Sequence, residues 1–268
     1  AVPRRRAGAE RTRDTVVGRA WAFARARYVD PVALRSLARE AAKCPRGLDE
    51  AELARLLWAL TALADEVGSA GRGSLREAQN VLAREASARA WCLSARSVSS
   101  IVWVFAKFRI SEGTLLRPVM DRAAKALPEA TPRELAGLAW AAAALQFRAG
   151  KFLKGLDGAA TARLAEMRAQ EQAGVAWSLA KLRAAPPPLL EAIATATGRG
   201  EGAGRFSPRD IASVAWSAAV VRGCNPRGLD ALFDEAARRL GAFAARDVGA
   251  LAWAAASLGR RDRALLAA

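Results

Sequence analysis

Apolar residues recur every three to four positions along most of the chain, a spacing that places them on one face of an α-helix. The pattern is clearest around tryptophan. Five positions before seven of the eight tryptophans the residue is aliphatic in all copies but one, where it is Gln172. Three positions after each of them the residue is alanine or threonine. Positions −5, −2, +2 and +5 relative to each tryptophan therefore form the apolar stripe of a helix.

This pattern repeats at a nearly constant interval. The seven tryptophans stand at 21, 58, 103, 140, 177, 216 and 253, which are 37, 45, 37, 37, 39 and 37 residues apart. A second apolar-periodic segment follows each tryptophan segment after a short break, as at 115–127, 189–198 and 229–240. A single helical hairpin cannot bury its apolar face, so such units stack. We predict an all-α fold, an α-solenoid of about seven helix-turn-helix repeats of 37–39 residues.

Local signals place the boundaries. Residues 1–14 read as a basic N-terminal tail, and 15–268 as a single solenoid domain. Thr131-Pro132-Arg133-Glu134 and Ser207-Pro208-Arg209-Asp210 each combine a hydroxyl cap, a proline and an acid three residues after the cap, which predicts a helix start. The glycine-rich stretches 68–74 and 198–205 are predicted to be loops. Neither has the GK[ST] of a nucleotide-binding P-loop.

The tryptophans are expected to be core side chains. Small residues precede most of them, as Ala139, Ala176 and Ala215 do, and would let neighbouring helices approach closely while leaving room for the indole. We therefore expect wedges in the core rather than platforms on which a ligand stacks. Trp91 lies outside the repeat and is expected to cap the inserted region.

The charge points to a polyanionic partner. The chain has 42 Lys and Arg against 26 Asp and Glu, a net charge of +16. Such a field attracts nucleic acid, and arginine in particular binds two phosphate oxygens at once. The alternative is that a GC-rich genome raises the content of both arginine and alanine.

Other compositional features exclude several kinds of chemistry. Histidine is absent, which rules out histidine catalysis and histidine metal ligands. Cys44, Cys92 and Cys224 form no CxxC pair and indicate reduced thiols. We therefore expect no enzyme activity, no metal and no cofactor. No apolar run is long enough to cross a membrane, so membrane insertion is not expected. The arginine-rich start is expected to be the remnant of a cleaved organellar presequence.

Three helix positions supply candidate RNA-binding residues. On a helical wheel, positions −7, −3 and +4 lie together, opposite the apolar stripe. Small residues occupy −3 in most copies and would leave room for bases. The alternative is an ordinary solvated face. The candidate cations are Arg96, Arg133, Arg209 and Arg246 at −7, Arg25, Lys107 and Lys181 at +4, and Arg109, Arg183 and Arg222, together with Arg27, at the helix ends at +6.

The repeat resembles a known family. Units of this length with the signature (E/D)-(L/I/V)-A-x-(L/V)-A-W-(A/S)-x-A-x-L look like octotricopeptide repeats, and the 37-residue heptatricopeptide repeats match equally well. Both are related to RAP-domain and FAST-kinase-like proteins. The motif is clearest at 175–182, which read VAWSLAKL, and at 209–219, which read RDIASVAWSAA. The first copy departs from it at Arg19, and Pro186–Pro188 fall where such repeats turn between helices.

The resemblance implies RNA binding in an organelle. Its roles would be RNA stabilisation, processing or translation, or a place in a ribonucleoprotein such as an rRNA-clamping subunit of a mitochondrial ribosome. Single-stranded RNA fits better than a duplex, because repeat proteins read exposed bases. A mitochondrion is favoured over a chloroplast. Many relatives end in a nuclease-like RAP domain that residues 1–268 do not show, so nuclease activity is not expected. The alternative is a protein-binding scaffold of the armadillo or HEAT type.

Overall fold

Helices form all the regular secondary structure that the computed structural model describes, which covers residues 3–67, 69–184, 188–198, 202–222 and 226–260. Side chains are described for 15–67, 72–184, 188–197, 202–222 and 228–260. The predicted all-α class is confirmed for these residues. The helices are α1 Pro3–Ala26, α2 Pro31–Lys43, α3 Glu50–Glu66, α4 Ser69–Ala88, α5 Ala95–Phe108, α6 Gly113–Ala126, α7 Pro132–Leu145, α8 Gly150–Ala162, α9 Ala169–Lys181, α10 Pro188–Gly198, α11 Pro208–Val221, α12 Pro226–Arg238 and α13 Ala245–Ser257.

The chain divides into two compact units, Ala1–Ala126 and Leu127–Ala268. In the first unit, the tryptophan-bearing helices α1, α3 and α5 pack side by side, and the alternate helices α2, α4 and α6 do the same. In the second unit, α7, α9, α11 and α13 form one such row and α8, α10 and α12 the other. Each unit is therefore two layers of helices, which we call the tryptophan helices and the second helices. A single solenoid domain over 15–268 stays a prediction.

Local capping starts α7 and α11, as the sequence predicts. The Thr131 hydroxyl accepts a hydrogen bond from the backbone N–H of Glu134, whose carboxylate accepts one from the Thr131 N–H. Ser207 and Asp210 make the same reciprocal pair at the start of α11. Such capping boxes satisfy N–H groups that the first helical turn leaves unpaired. The acid six positions before the tryptophan is thus used to begin the helix.

Alanine and leucine fill the space between the layers. In α7 the buried residues are Leu135, Leu138, Ala139 and Ala141–Ala143, which agree with the predicted stripe. Where α10 crosses α12, a Cβ atom on Gly228 would overlap the carbonyl oxygen of Ala194. Glycine is required there because the two backbones approach so closely. The Thr197 hydroxyl bridges the same crossing by donating to the Gly228 carbonyl, 3.1 Å away.

One buried carboxylate holds a second helix in place. Asp157 of α8 is 8% exposed, and its Oδ1 accepts a hydrogen bond of 3.0 Å from the backbone N–H of Leu189 in the first turn of α10. This cap comes from another helix, 32 residues earlier in the chain. Burial raises the pKa of Asp157, although the Leu189 hydrogen bond acts in the opposite direction.

Several boundaries differ from the sequence predictions. Of the glycine-rich stretch 68–74, residues 69–74 are helix and not a loop, because α4 begins at Ser69, while Gly68 lies outside the described residues. The apolar face of α4, with Leu75, Ala78 and Leu82 buried, stabilises helix in spite of the glycines. Helix α1 begins at Pro3, inside the segment predicted as a tail.

Some further predictions fall partly or wholly beyond what the structure describes. For the stretch 198–205, the described residues are the end of α10 and a short 3-10 turn, Ala203–Arg205, while 199–201 lie outside the described residues. Of Pro186–Pro188, only Pro188 is described, at the start of α10. Cys224 also lies outside the described residues. The prediction that Trp91 caps the inserted region is wrong, because its side chain is 80% exposed in the turn after α4.

Candidate nucleic-acid interface

The repeat tryptophans are not core side chains. Trp21, Trp140 and Trp253 are 46%, 37% and 48% exposed, and the other four, Trp58, Trp103, Trp177 and Trp216, are partly exposed. The prediction of buried wedges is therefore wrong. The residue directly before the indole is fully buried in six of the seven copies, which are Ala20, Leu57, Val102, Ala139, Ala176 and Ala215.

The helical wheel explains this exposure. Successive residues are rotated by about 100°, so positions −7, +4 and −3 lie about 20°, about 40° and about 60° from the tryptophan. The apolar stripe at −5, −2, +2 and +5 lies on the far side. The indole thus lies at one edge of the surface predicted for the cations and on the same side of the helix. We call positions −7, −3, 0 and +4 of the tryptophan helices the tryptophan face. A helical wheel that includes the tryptophan itself predicts this exposed position from the sequence alone.

The cations at position +4 pack over the indoles. The Arg25 guanidinium lies 5.4 Å from the centroid of the Trp21 ring. The ammonium group of Lys107 lies 5.7 Å from the centroid of the Trp103 ring and 3.2 Å from the Asp65 carboxylate. A cation over an indole gains about 0.5–1 kcal/mol at an exposed site. These contacts hold positive charge beside an aromatic surface.

In the second unit the indoles form a ladder. The ring centroids of Trp177 and Trp216 are 6.3 Å apart with the planes inclined at 37°. Those of Trp216 and Trp253 are also 6.3 Å apart, inclined at 34°. The distances fall within the range of attractive aromatic pairs. The ladder runs across three neighbouring helices, α9, α11 and α13, along the direction in which repeats follow one another.

The arginines at position −7 lie in or next to the first turn of their helices, and all are exposed. Arg246 Nε is 3.5 Å from the Asp247 carboxylate. The charge of Arg133 contributes to the environment of Glu171, which belongs to the next tryptophan helix. Burial of Glu171 opposes ionisation, but hydrogen bonds and charge from Arg168, with the charge of Arg133, lower the pKa of Glu171 overall. This acid therefore stays ionised between two arginines.

Small residues leave room on this face. A Cβ atom added to Gly18, Gly137 or Gly174, all at position −3, would meet no atom within 4 Å. Glycine inside a helix costs roughly 0.5–1 kcal/mol relative to alanine. No neighbour within the described chain requires glycine at these positions. In the first unit, a cleft of about 310 Å³ opens on the face, lined by Val17, Gly18, Trp21, Glu52 and Arg55.

The cations at position +6 are exposed but lie off the tryptophan face. Arg27, Arg109, Arg183 and Arg222 follow the last turn of a tryptophan helix, with φ between 51° and 55°. This left-handed conformation is unfavourable for a residue with a Cβ atom and favours glycine. In the seventh copy the position is Gly259, with φ of 69°. The structure therefore places these arginines along an edge of the layers, not on the surface that carries the indoles.

Another group of arginines, which the sequence analysis missed, holds repeats together. Arg163 donates hydrogen bonds to the carbonyl oxygens of Ala130 (2.8 Å) and Pro128 (3.3 Å). Arg89 donates to Leu48 at 2.7 Å, and Arg239 donates to Phe206 at 2.9 Å. All three arginines occupy position −14 relative to a repeat tryptophan, and the carbonyls of Ala130, Leu48 and Phe206 occupy position −10 of the preceding repeat. This regular spacing was visible in the sequence, and it shows that part of the positive charge is structural.

The described residues form neither a metal-binding cluster nor a membrane-spanning helix. Within the described ranges, no group of Cys, Asp and Glu side chains could hold a metal ion. Among the same residues, no helix has both the length and the apolar character that a membrane crossing requires. The Cys44 thiol donates to the Glu40 carbonyl, 3.4 Å away, and Cys92 is an exposed free thiol. Neither the models of known families nor the curated proteins match this chain.

Proposed function

We propose that this protein is a non-catalytic α-solenoid that binds RNA along its tryptophan face. The observation that carries the proposal is the placement of exposed indoles, cations and small residues on one side of neighbouring helices. Proteins that hold single-stranded nucleic acid combine a positive groove for the backbone with aromatic side chains on which bases stack. The tryptophan face combines exposed cations with exposed aromatic side chains.

Each position of the face has a role in this proposal. The arginines at −7 and the cations at +4 contact phosphates, and the indoles accept bases on their exposed surfaces. The glycines at −3 let a sugar or a base approach the helix backbone. Single-stranded RNA fits this arrangement better than duplex RNA, whose bases are already stacked and paired. A single-stranded loop of a ribosomal RNA would offer the same chemistry.

The family and the location belong to the same proposal. The repeat length and motif support membership of the octotricopeptide or heptatricopeptide repeat proteins, and with it a role in an organelle, a mitochondrion before a chloroplast. RNA stabilisation, processing and translation are the activities in which such a protein would take part. Alternatively, the protein would be a permanent subunit of a ribonucleoprotein and would clamp ribosomal RNA there.

The decisive experiment removes three cations from the face. We compare R133A/R209A/R246A with R148A/K151A/K154A, a control that removes the same charge from exposed positions of α8 and the connection before it. The face variant is expected to bind single-stranded RNA more weakly. Its slope of log affinity against log salt should be shallower by about 2, since each phosphate contact on a single strand contributes about 0.7. Equal losses in both variants would leave only a non-specific charge effect and refute the proposed face.

A protein-binding scaffold of the armadillo or HEAT type is the second candidate. It is favoured by apolar side chains exposed away from the tryptophan face, since Trp91, Tyr28 and Val32 are 80%, 48% and 66% exposed. Exposed apolar patches often mark protein contacts. A complex of the full chain that survives ribonuclease treatment and is lost in W91A would favour the scaffold. Loss of the complex on ribonuclease treatment would favour RNA.

A further inference from the structure

A polar cleft in the first unit lies apart from the tryptophan face. It is formed by α4 and by the connection between α5 and α6, and its volume is about 260 Å³. That is close to the lower end of the range for small-molecule sites, about 300 Å³. None of its residues occupies a tryptophan-face position. Those that matter here are Arg76, Gln79, Asn80, Phe108, Arg109 and Glu112.

Gln79 has an unusual environment in this cleft. Its side chain is 1% exposed. Neither the amide nitrogen Nε2 nor the amide oxygen Oε1 makes a hydrogen bond with any described residue. A buried polar group without a partner destabilises a fold, and most such groups in proteins are paired. Gln79 lines the cleft, and its unpaired amide has one donor side and one acceptor side, which suits a ligand that has both.

Arg109 is also held at a cost to the fold. Its φ is 55°, in the left-handed region, at a position where the last copy of the repeat has Gly259. The same conformation occurs at this position at Arg27, Gln146, Arg183 and Arg222, so it belongs to the helix ending rather than to the cleft. Arg109 itself lines the cleft and brings one guanidinium to it. Arg76 contributes a second guanidinium to the same cleft, against the single carboxylate of Glu112.

We infer that this cleft binds one nucleotide. The Gln79 amide pairs with the donor and acceptor atoms on the edge of the base, as glutamine does in base recognition. The guanidinium groups of Arg76 and Arg109 bind the phosphate, and Phe108 offers an aromatic surface to the base. The Glu112 carboxylate accepts a hydrogen bond from a ribose hydroxyl, a role that acidic residues have in nucleotide sites. The nucleotide is either free or one residue of an RNA chain, and only the second form rests on the proposed function.

Two variants test the inference, because each should stabilise the fold while weakening binding. Gln79→Leu replaces an unpaired buried amide by hydrocarbon of similar size, and Arg109→Gly relieves the backbone strain. With the full chain, we titrate AMP, GMP, CMP, UMP and inorganic phosphate by calorimetry, and a mixed-sequence single-stranded RNA by fluorescence anisotropy. Each variant should lower affinity at least tenfold for one mononucleotide or for the RNA. The melting temperatures should be unchanged or higher.

Gln146→Gly is the matched control for the backbone change, since it also places glycine at a left-handed position and Gln146 is not one of the candidate cations. Mononucleotide affinity that falls in Q79L and R109G but not in Q146G supports a site for a free nucleotide. RNA affinity that falls in both cleft variants, with no mononucleotide bound, supports a nucleotide within RNA. The inference is overturned if Q79L changes neither affinity, if phosphate alone binds as well as any nucleotide, or if Q79L melts at a lower temperature. If R133A/R209A/R246A weakens RNA binding and Q79L does not, the result supports binding at the tryptophan face and contradicts binding in the cleft.

Discussion

The ammonium group of Lys181 lies 4.7 Å from the centroid of the Trp177 ring, one helical turn away along α9. The pair joins the two features of the tryptophan face, an exposed aromatic surface and a positive charge. It also stands at the start of the indole ladder that continues to Trp216 and Trp253. A phosphate bound to Lys181 would bring the attached base close to the indole. The first two predictions follow from this arrangement.

Replacing the central indole of the ladder should weaken RNA binding. Trp216→Leu removes the stacking surface and should cost about 1–3 kcal/mol of binding free energy, the range for one base on one aromatic side chain. Trp216→Phe keeps a ring and should retain most of the affinity. Fluorescence titration with single-stranded RNA measures both. Wild-type affinity in the leucine variant would show that bases do not stack on the ladder.

Adding a methyl group at position −3 should stabilise the protein but weaken RNA binding. Gly137→Ala and Gly174→Ala should each raise the free energy of unfolding by about 0.5–1 kcal/mol, because alanine is the better helix residue and its methyl group meets no neighbour. RNA affinity should fall, since the methyl groups occupy the ligand's space. Gly158→Ala on α8, where a Cβ atom is also unobstructed, is the control. It should stabilise the protein with no loss of affinity. Unchanged RNA binding in all three would exclude close approach at the glycines.

The bridging arginines should affect stability alone. Arg163→Met keeps the length of the side chain but loses the hydrogen bonds to Ala130 and Pro128. Hydrogen bonds that involve a charged group contribute about 1.5–3 kcal/mol, so urea unfolding should show a loss of that order. Arg148→Met, which removes an exposed cation, should change stability little. A fall in RNA affinity for R163M at temperatures where it remains folded would contradict the structural role.

Asp157 should make stability depend on pH. Folding raises the pKa of this carboxyl, so the folded state binds a proton more readily than the unfolded chain. Its ionisation therefore lowers stability as the pH rises through the folded-state pKa, whereas below the unfolded-state pKa there is no penalty. Asp157→Asn keeps an oxygen that can accept the Leu189 hydrogen bond and carries no charge. Relative to the wild type, its free energy of unfolding should increase with rising pH. A constant difference at every pH would contradict the buried charge.

Part of the candidate site could be read from the sequence and part could not. The eleven predicted cations are all exposed, and those at −7 and +4 share one face because helical periodicity alone decides which residues lie together. The burial of the tryptophans was predicted wrongly, since a large apolar side chain is usually taken for core. The left-handed conformation of Arg109 recurs at position +6 of other copies, as at Arg183 and Arg222, and is therefore part of the repeat. The unpaired amide of Gln79 depends on how α4 packs near the α5–α6 connection, which leaves no local pattern.

The sequence by itself determined the all-helical class, the starts of α7 and α11 and the apolar stripe of the tryptophan helices. These depend on contacts within a few residues, such as the capping box of Thr131 and Glu134, and on the repeat of the helical turn. Only the tertiary structure decided which arginines bridge carbonyls between repeats. It also decided that Asp157 caps α10 and how close each indole lies to the next one. Those relationships join residues that are far apart along the chain. Their geometry is set by how helices pack against one another, which no single segment of the chain encodes.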